Sequence, residues 1–294
     1  MAYKSGFVNI VGNPNVGKST LMNILVGEKL SIITSKSQTT RHRIMGIVTG
    51  DDYQIVYSDT PGVLKPVYKL QESMLKYSES ALEDADVILY ITDVLETKTK
   101  NKFFLDMVNR LSVPIIILIN KIDLVTEQTQ VEDIIKEWHE LIPKAEVHPV
   151  SALHKFNTEN ILNRIVELLP ENPPYFEKDR LTDKPERFFV SEIIREKILT
   201  LYEKEIPYSV EVQVETFKEE ESIIRIQTVI NVIRDSQKGI IIGKGGQALK
   251  RLGSVSRKEI EAFFGKKIYL EMFVKVSKDW RDNTNRLKNF GYDI

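Results

Sequence analysis

Eight consecutive residues, Gly12-Asn13-Pro14-Asn15-Val16-Gly17-Lys18-Ser19, constrain this chain of 294 residues more than any others. They follow an apolar run, Phe7 to Val11, and lead into a stretch over 18–27 with helical periodicity. A G-x-x-x-x-G-K-S turn between strand and helix is built to bind nucleotide phosphates. Its glycines let successive backbone N–H groups face one anion, and the helix N-terminus behind them adds its dipole. Lys18 supplies a point charge for the β and γ phosphates, and the Ser19 hydroxyl suits a magnesium ion. The predicted phosphate set is therefore Gly12, Asn13, Asn15, Val16, Gly17, Lys18, Ser19 and Thr20, joined from further along by Gly62. A chance glycine turn is the bland alternative, and the strand–turn–helix setting weighs against it.

The first half of the chain alternates two patterns. Strand-like runs lie at Phe7 to Val11, Val87 to Ile91 and Val113 to Ile119; helical periodicity covers 18–27, 73–83, 99–111, 130–141 and 157–169. That order predicts an α/β domain, a mostly parallel sheet with helices on both faces and ligands beyond the carboxyl ends of its strands. Asn120-Lys121-Ile122-Asp123 follows the strand at 113–119. The Asp123 carboxylate can accept from the ring N–H and exocyclic amine of guanine, a donor pair adenine lacks, so GTP and GDP are the expected ligands. Asn120, Lys121 and Asp123, with Ser151, Ala152 and Leu153 lending backbone N–H groups, form the predicted guanine site. Asp59-Thr60-Pro61-Gly62 follows a strand ending at Ser58; Asp59 is suited to hold magnesium through water, and the Gly62 N–H to meet a γ-phosphate. Within Ser31 to Arg43, Thr39 and Thr40 are both candidates for a second hydroxyl on the metal, so the magnesium set is Ser19, Asp59 and Thr40 or its neighbour. An ordinary connecting loop is the alternative for that stretch.

Composition excludes several other chemistries. With no cysteine there is no disulfide framework and no thiolate metal site or nucleophile. The four histidines, His42, His139, His148 and His154, lack metal-ligand spacing. The start of the chain leaves no room for a signal peptide, and no apolar run approaches the roughly 20 residues of a membrane span, so a cytoplasmic location is expected. Charge is uneven: residues 234–294 hold 14 basic and 7 acidic side chains, a net of +7 in a chain of net −1. A polyanion-binding surface is one reading of that end, a solvated charged face the other.

Pro170, Pro173 and Pro174 close the alternating region, and the predicted division is residues 1–172, a linker over 173–186, and residues 187–294. The second region reads as a helix over 187–204, strands over 210–214 and 224–232 around the Glu219-Glu220-Glu221 turn, helices over 237–242 and 247–264, a strand over 267–276 and a last helix over 279–289. Gly243-Lys244-Gly245-Gly246 falls between its two central helices, where a G-x-x-G loop lets backbone approach about four unpaired nucleotides. Arg234, Lys238, Lys244, Lys250, Arg251, Arg257 and Lys258 surround it, and Ile240, Ile241 and Ile242 offer an apolar floor. The predicted RNA-binding set is Arg234, Lys238, Ile242, Gly243, Lys244, Gly245, Gly246, Lys250 and Arg251, with no DNA expected. A plain helix-capping turn is the alternative.

With all five nucleotide motifs in order, the first half resembles the translation-factor class of GTPases, and the second resembles a type II KH domain. Val63 stands after Asp59-Thr60-Pro61-Gly62, where small signalling GTPases carry a water-orienting glutamine, so the likeness is to the hydrophobic-substituted GTPases; Asn15 matches the asparagine with which some of them hold potassium. The pairing of the two domains, with Gln38-Thr39-Thr40-Arg41-His42-Arg43, Glu192-Ile193-Ile194-Arg195-Glu196-Lys197 and Glu205-Ile206-Pro207-Tyr208, resembles the Era family of bacterial ribosome-assembly GTPases over nearly the whole chain. The resemblance implies GTP hydrolysis, binding near the 3′ end of small-subunit 16S ribosomal RNA, a part in 30S assembly, and peripheral membrane contact. Two other readings stay open here: an RNA-binding module with a merely structural nucleotide domain, and a signalling GTPase whose basic face meets anionic lipid.

Overall fold

The computed structural model describes residues 2–96 and 101–292. Two compact units divide the chain, Met1–Val67 with Met74–Asp183, and Tyr68–Ser73 with Lys184–Ile294. The first contains β1 (Lys4–Gly12), α1 (Lys18–Val26), β2 (Ile44–Thr49), β3 (Tyr53–Asp59), most of α2 (Lys69–Glu83), β4 (Val87–Asp93), α3 (Lys102–Arg110), β5 (Ile115–Asn120), α4 (Gln128–Leu141), β6 (Glu146–Pro149) and α5 (Thr158–Leu168). The strands form one sheet in the order β2-β3-β1-β4-β5-β6. Only β2 runs antiparallel to its neighbour. Every residue of β5 is buried, as a strand covered on both faces requires. Ile115, Ile117 and Ile119 join Ile88, Tyr90 and Val11 under Leu82, Phe104 and Trp138 of α2, α3 and α4. Helix α1 packs on β1, β2 and β3 and touches α5, covering the other face. The chain winds to opposite sides of β1, so the loop after β1 opens at the crevice where ligands of such sheets sit.

The expected helix at 73–83 begins earlier, at Lys69. Residues 99 and 100, the start of the helix expected over 99–111, lie outside the described residues, and α3 begins at Lys102. The polar stretch read as a linker over 173–186 is bonded to the first unit as far as Asp183. Tyr175 and Phe176 donate their N–H groups to Gln54 Oε1 at 2.8 and 2.9 Å, Ile47 donates to the Leu181 carbonyl at 2.8 Å, and Met45 donates to Asp183 Oδ1 at 2.8 Å. Its hydrogen-bonding groups cover the free edge of β2, where an open strand would otherwise present unpaired backbone.

The second unit holds α6 (Glu186–Leu201), α7 (Ile206–Ser209), β7 (Glu211–Glu219), β8 (Ile223–Val232), α8 (Asp235–Ile242), α9 (Gln247–Phe264), β9 (Lys267–Val276) and α10 (Thr284–Asn289). Its sheet order is β7-β8-β9, with β7 antiparallel and β9 parallel to β8. Val190, Ile194 and Ile198 of α6, Ile241 of α8, and Leu252 and Ile260 of α9 bury Ile224, Ile226, Ile230 and Ile268. Within α6, the Arg195 guanidinium is buried against Glu192 at 2.5 Å, a pair whose separation would leave a charge stranded in the core. Three elements differ from expectation. A bulge between Val214 and Thr216 breaks the alternation that ended the predicted strand at 214, and β7 continues to Glu219. The helix expected over 187–204 stops at Leu201, and α7 starts afresh with proline in its first turn. The helix expected over 279–289 is split, because Asn283 caps α10 by accepting the Arg286 N–H at 3.1 Å.

Candidate functional site

The loop joining β1 to α1 encloses, with Ile32 to Thr34, Gln38 to Thr40, Gly62 and Lys121, a cavity of about 150 Å³. Pro14, Asn15, Gly17, Lys18, Ser19 and Thr20 line it. Two glycines are needed where backbones crowd. Gly17 sits at φ 101°, and a Cβ there would collide with the Asn120 amide; one at Gly62 would lie 2.6 Å from the Pro14 backbone. Lys18 is buried, with its ammonium donating to the Asn13 carbonyl at 2.7 Å. Burial lowers its pKa to about 8, against the opposing pull of Asp59 and Glu96. An arriving phosphate supplies the counter-charge this ammonium lacks.

Ser19 Oγ donates to Asp59 Oδ2 at 2.7 Å and lies 2.8 Å from Thr40 Oγ1, which is itself 3.3 Å from the same carboxylate oxygen. Thr39 also lines the cavity, but its hydroxyl is engaged elsewhere: it donates to the Lys36 carbonyl at 2.6 Å and meets Thr34. Of the two threonines, Thr40 is the one whose hydroxyl stands beside Ser19 and Asp59. Asp59 is fully buried, and its Oδ1 has no hydrogen-bond partner. Burial raises its pKa, opposed by Ser19 and Lys18. An orphaned buried carboxylate oxygen beside two hydroxyls is an all-oxygen donor set that fits a hard divalent cation.

The Asn120 to Asp123 segment holds the site together as well as facing it. Asn120 Nδ2 donates to the Val16 carbonyl at 2.8 Å, and its Oδ1 accepts the Ala152 N–H at 2.9 Å. Lys121, at φ 62°, reaches the Asn15 carbonyl at 2.7 Å and Asp93 Oδ2 at 2.5 Å. Ser151 Oγ donates to Asp123 Oδ1 at 2.5 Å. The Ser151 N–H is used by the Phe156 carbonyl at 3.4 Å, so two of the three backbone donors expected from Ser151 to Leu153 are already bonded within the protein. Leu153 is exposed.

Val63 contributes its side chain to the core rather than to the cavity, packing in the cluster of Ala81, Leu82 and Phe104, and its N–H donates to the Gly12 carbonyl at 3.1 Å. Truncating it to Ala should cost about 1–3 kcal/mol of stability through the void left behind. Turnover at a permissive temperature should change little, a pairing that urea unfolding and GTP hydrolysis of one variant would check. Sequence reasoning passed over Asn101. Its amide donates to Asn13 Oδ1 at 2.7 Å and to the Val63 carbonyl at 2.8 Å, tying the phosphate loop to the segment after Gly62. A single asparagine at a helix start carries no pattern, so only its positive φ of 55° marks it.

In the second unit, Gly243, Gly245 and Gly246 all have positive φ, and the Gly246 N–H donates to the Gly243 carbonyl at 3.1 Å. Gly246, just before α9, and Lys250, Gly253, Ser254 and Arg257 of α9 face Leu270 and Met272 of β9 across a cleft of about 530 Å³. The three-isoleucine floor is not there. Successive helical residues point about 100° apart, so Ile241 enters the core, Ile240 faces solvent and Ile242 is half-buried. Leu249, Leu270 and Met272 form the apolar lining instead. Lys244, Lys250 and Arg251 are exposed and Lys238 is half-buried. Arg234 stands apart at the start of α8, lining another hollow with Asp235, Lys278 and Arg281.

Comparison with known proteins fits both units. Residues 7–121 match the family model for 50S ribosome-binding GTPases, and residues 205–281 that for KH domains. The chain is 43% identical to GTPase Era of Staphylococcus epidermidis over 99% of its length and 97% of the relative's. It belongs to the Era family of GTPases. It is also 44% identical to GTPase Era of a Thermoanaerobacter species, over its whole length and 98% of that relative's. An Era crystal structure in complex with MgGDPNP and nucleotides 1506–1542 of 16S ribosomal RNA superposes with a TM-score of 0.95 at 39% identity, over 99% of this chain and 100% of that one. A single-substitution variant of Aquifex aeolicus Era bound to GDP and AlF4⁻ gives 0.94 at 39% identity, with the same coverage. The chain is a GTPase with a C-terminal KH domain, as the motifs imply.

Proposed function

We propose that this GTPase binds GTP in the cavity under the β1–α1 loop and single-stranded small-subunit ribosomal RNA in the cleft between α9 and β9, and so acts in assembly of the 30S subunit. The observation that carries the nucleotide site is the convergence of Lys18 and Ser19 at the start of α1, Thr40 in the loop before β2 and Asp59 at the end of β3. In this reading Lys18 and the backbone N–H groups of Asn13 and of Asn15 to Ser19 draw charge from the β and γ phosphates, while Gly62 meets the γ-phosphate. Ser19 and Thr40 would ligate magnesium, with Asp59 behind them; the ion supplies charge neutralisation between the phosphates. Asp123 selects guanine. Support for the RNA reading comes from the glycine loop, the basic face of α9 and the relative crystallised with 16S RNA. A basic face could also meet anionic lipid at a membrane surface, a contact that needs no spanning helix; among the described residues no helix is long and apolar enough to cross a membrane.

With Val63 in the core, no side chain at that position reaches the attacking water. Asn15 is the proposed potassium ligand: its Nδ2 donates to the Ser35 carbonyl at 3.1 Å, and its Oδ1 is an oxygen donor beside the phosphate loop. Hydrolysis should run faster in potassium than in sodium chloride, and the difference should vanish in Asn15→Ala. Equal rates in both salts for the parent would remove potassium from the reading.

The nucleotide site as a whole is tested by Lys18→Ala and Ser19→Ala. Each should lose triphosphate binding and hydrolysis while RNA affinity measured without nucleotide stays at the parent's value. Hydrolysis at the parental rate in either variant would refute the site.

A further inference from the structure

The three-stranded sheet has a second face, turned away from α6, α8 and α9. Residues opposite one another across β8 and β9 share it: Arg225 with Tyr269, Gln227 with Glu271, Val229 with Phe273, and Asn231 with Lys275. Here the edge strand reads Lys267, Tyr269, Glu271, Phe273, Lys275 at every second position, an aromatic between charges each time. Tyr269 is 46% exposed and Phe273 54% exposed, unusual for rings on a strand whose other face is packed. Tyr269 is held in place. Its hydroxyl donates to Glu271 Oε1 at 3.1 Å, Gln227 fixes the other oxygen of that carboxylate at 2.6 Å, and the Arg225 guanidinium lies 5.4 Å from the ring centre. Phe273 leans on the buried Val229 and offers an open ring face.

We infer that this outer face is a second contact for single-stranded RNA, at which Tyr269 and Phe273 stack unpaired bases that have left the cleft between α9 and β9. The inference rests on the RNA reading of that cleft. Two observations favour nucleic acid as the occupant. First, Lys267 and Lys275 beside the rings are exposed cations, matching a phosphate backbone, with Arg225 near them in an exposed pair with Glu220 at 3.0 Å. Second, the surface is continuous with the cleft. Arg257 lines both the cleft and a hollow of about 750 Å³ that runs past Lys266 and Lys267 to Tyr269, round the free edge of β9. A strand following that hollow passes from the glycine loop to the rings beside Arg257, Lys266 and Lys267, with Glu261 the one acidic residue of its lining. Aromatic rings on an open sheet are a general solution to binding splayed bases, since every base has a π-face.

The test is fluorescence anisotropy with two labelled strands, one of about four nucleotides that fills only the cleft and one of about sixteen nucleotides that reaches beyond it. Phe273→Ala should bind the short strand as the parent does and the long strand about ten-fold more weakly, the scale of one lost base stack. Tyr269→Ala should behave likewise, and Phe273→Trp should restore long-strand affinity. Both rings are half exposed, so the variants should melt at the parental temperature. Unchanged long-strand affinity in both alanine variants, with both strands lost in Gly246→Asp, would overturn the outer contact, keep the cleft and leave the rings to a protein partner. Equal weakening on both strands would also overturn it, by making the rings part of the cleft. If Gly246→Asp binds both strands normally, the underlying reading of the cleft fails instead.

Discussion

Asp123→Asn should lower GTP affinity by a hundred-fold or more and turn the preference toward xanthosine triphosphate. The Ser151 hydroxyl donates to Asp123 Oδ1 and accepts the His154 N–H at 3.3 Å. Its proton therefore continues to seek an oxygen, and the asparagine carbonyl takes that place, leaving the amide NH2 on the other side. Guanine presents donors there too, and two donors facing one another cost on the order of several kcal/mol. Xanthine carries a carbonyl in place of the exocyclic amine and accepts from that NH2. Competition of labelled GTP by GTP and by xanthosine triphosphate measures both arms. GTP affinity equal to the parent's would show that base selection lies elsewhere.

Gly246→Asp should abolish binding of single-stranded RNA. A Cβ at Gly246 meets nothing within 4 Å, so the aspartate side chain enters the cleft rather than colliding with the protein. Its φ of 76° is left-handed, a region aspartate tolerates better than most side chains. What the substitution brings is a negative charge where phosphate must approach. Lys244→Ala should be milder, weakening all sequences alike and flattening the log–log salt dependence by roughly 0.7, the contribution of one neutralised phosphate on a single strand. An unchanged salt slope would take Lys244 off the RNA path.

Much of this molecule was legible because its chemistry is written in contiguous residues. Gly12 to Ser19, Asp59 to Gly62 and Asn120 to Asp123 each carry backbone shape and functional group together, so reading them needed no knowledge of packing. What resisted depends on three-dimensional direction. Thr39 and Thr40 differ only in which way a loop turns each hydroxyl, and hydrogen bonds to Thr34 and the Lys36 carbonyl decide that. Three adjacent isoleucines looked like one surface, yet helical rotation scatters Ile240, Ile241 and Ile242. Residues 173–183 had the composition of a linker because the groups that pair with the edge of β2 are polar. Val63 has no polar group with which to orient water, but its place in the core cluster with Phe104 needed the fold. Asn101 joins two motifs that lie 50 residues apart in the chain, a link no local pattern records.

In the proposed function one chain carries two separable sites, a guanine nucleotide site in the first unit and a single-strand RNA site in the second. One titration series tests it most directly: parent, Asp123→Asn and Gly246→Asp, each measured with labelled GTP and, without nucleotide, with a labelled strand of the 3′ end of 16S RNA. Asp123→Asn should lose GTP and keep RNA, and Gly246→Asp should lose RNA and keep GTP. RNA binding by Gly246→Asp as tight as the parent's would contradict the account.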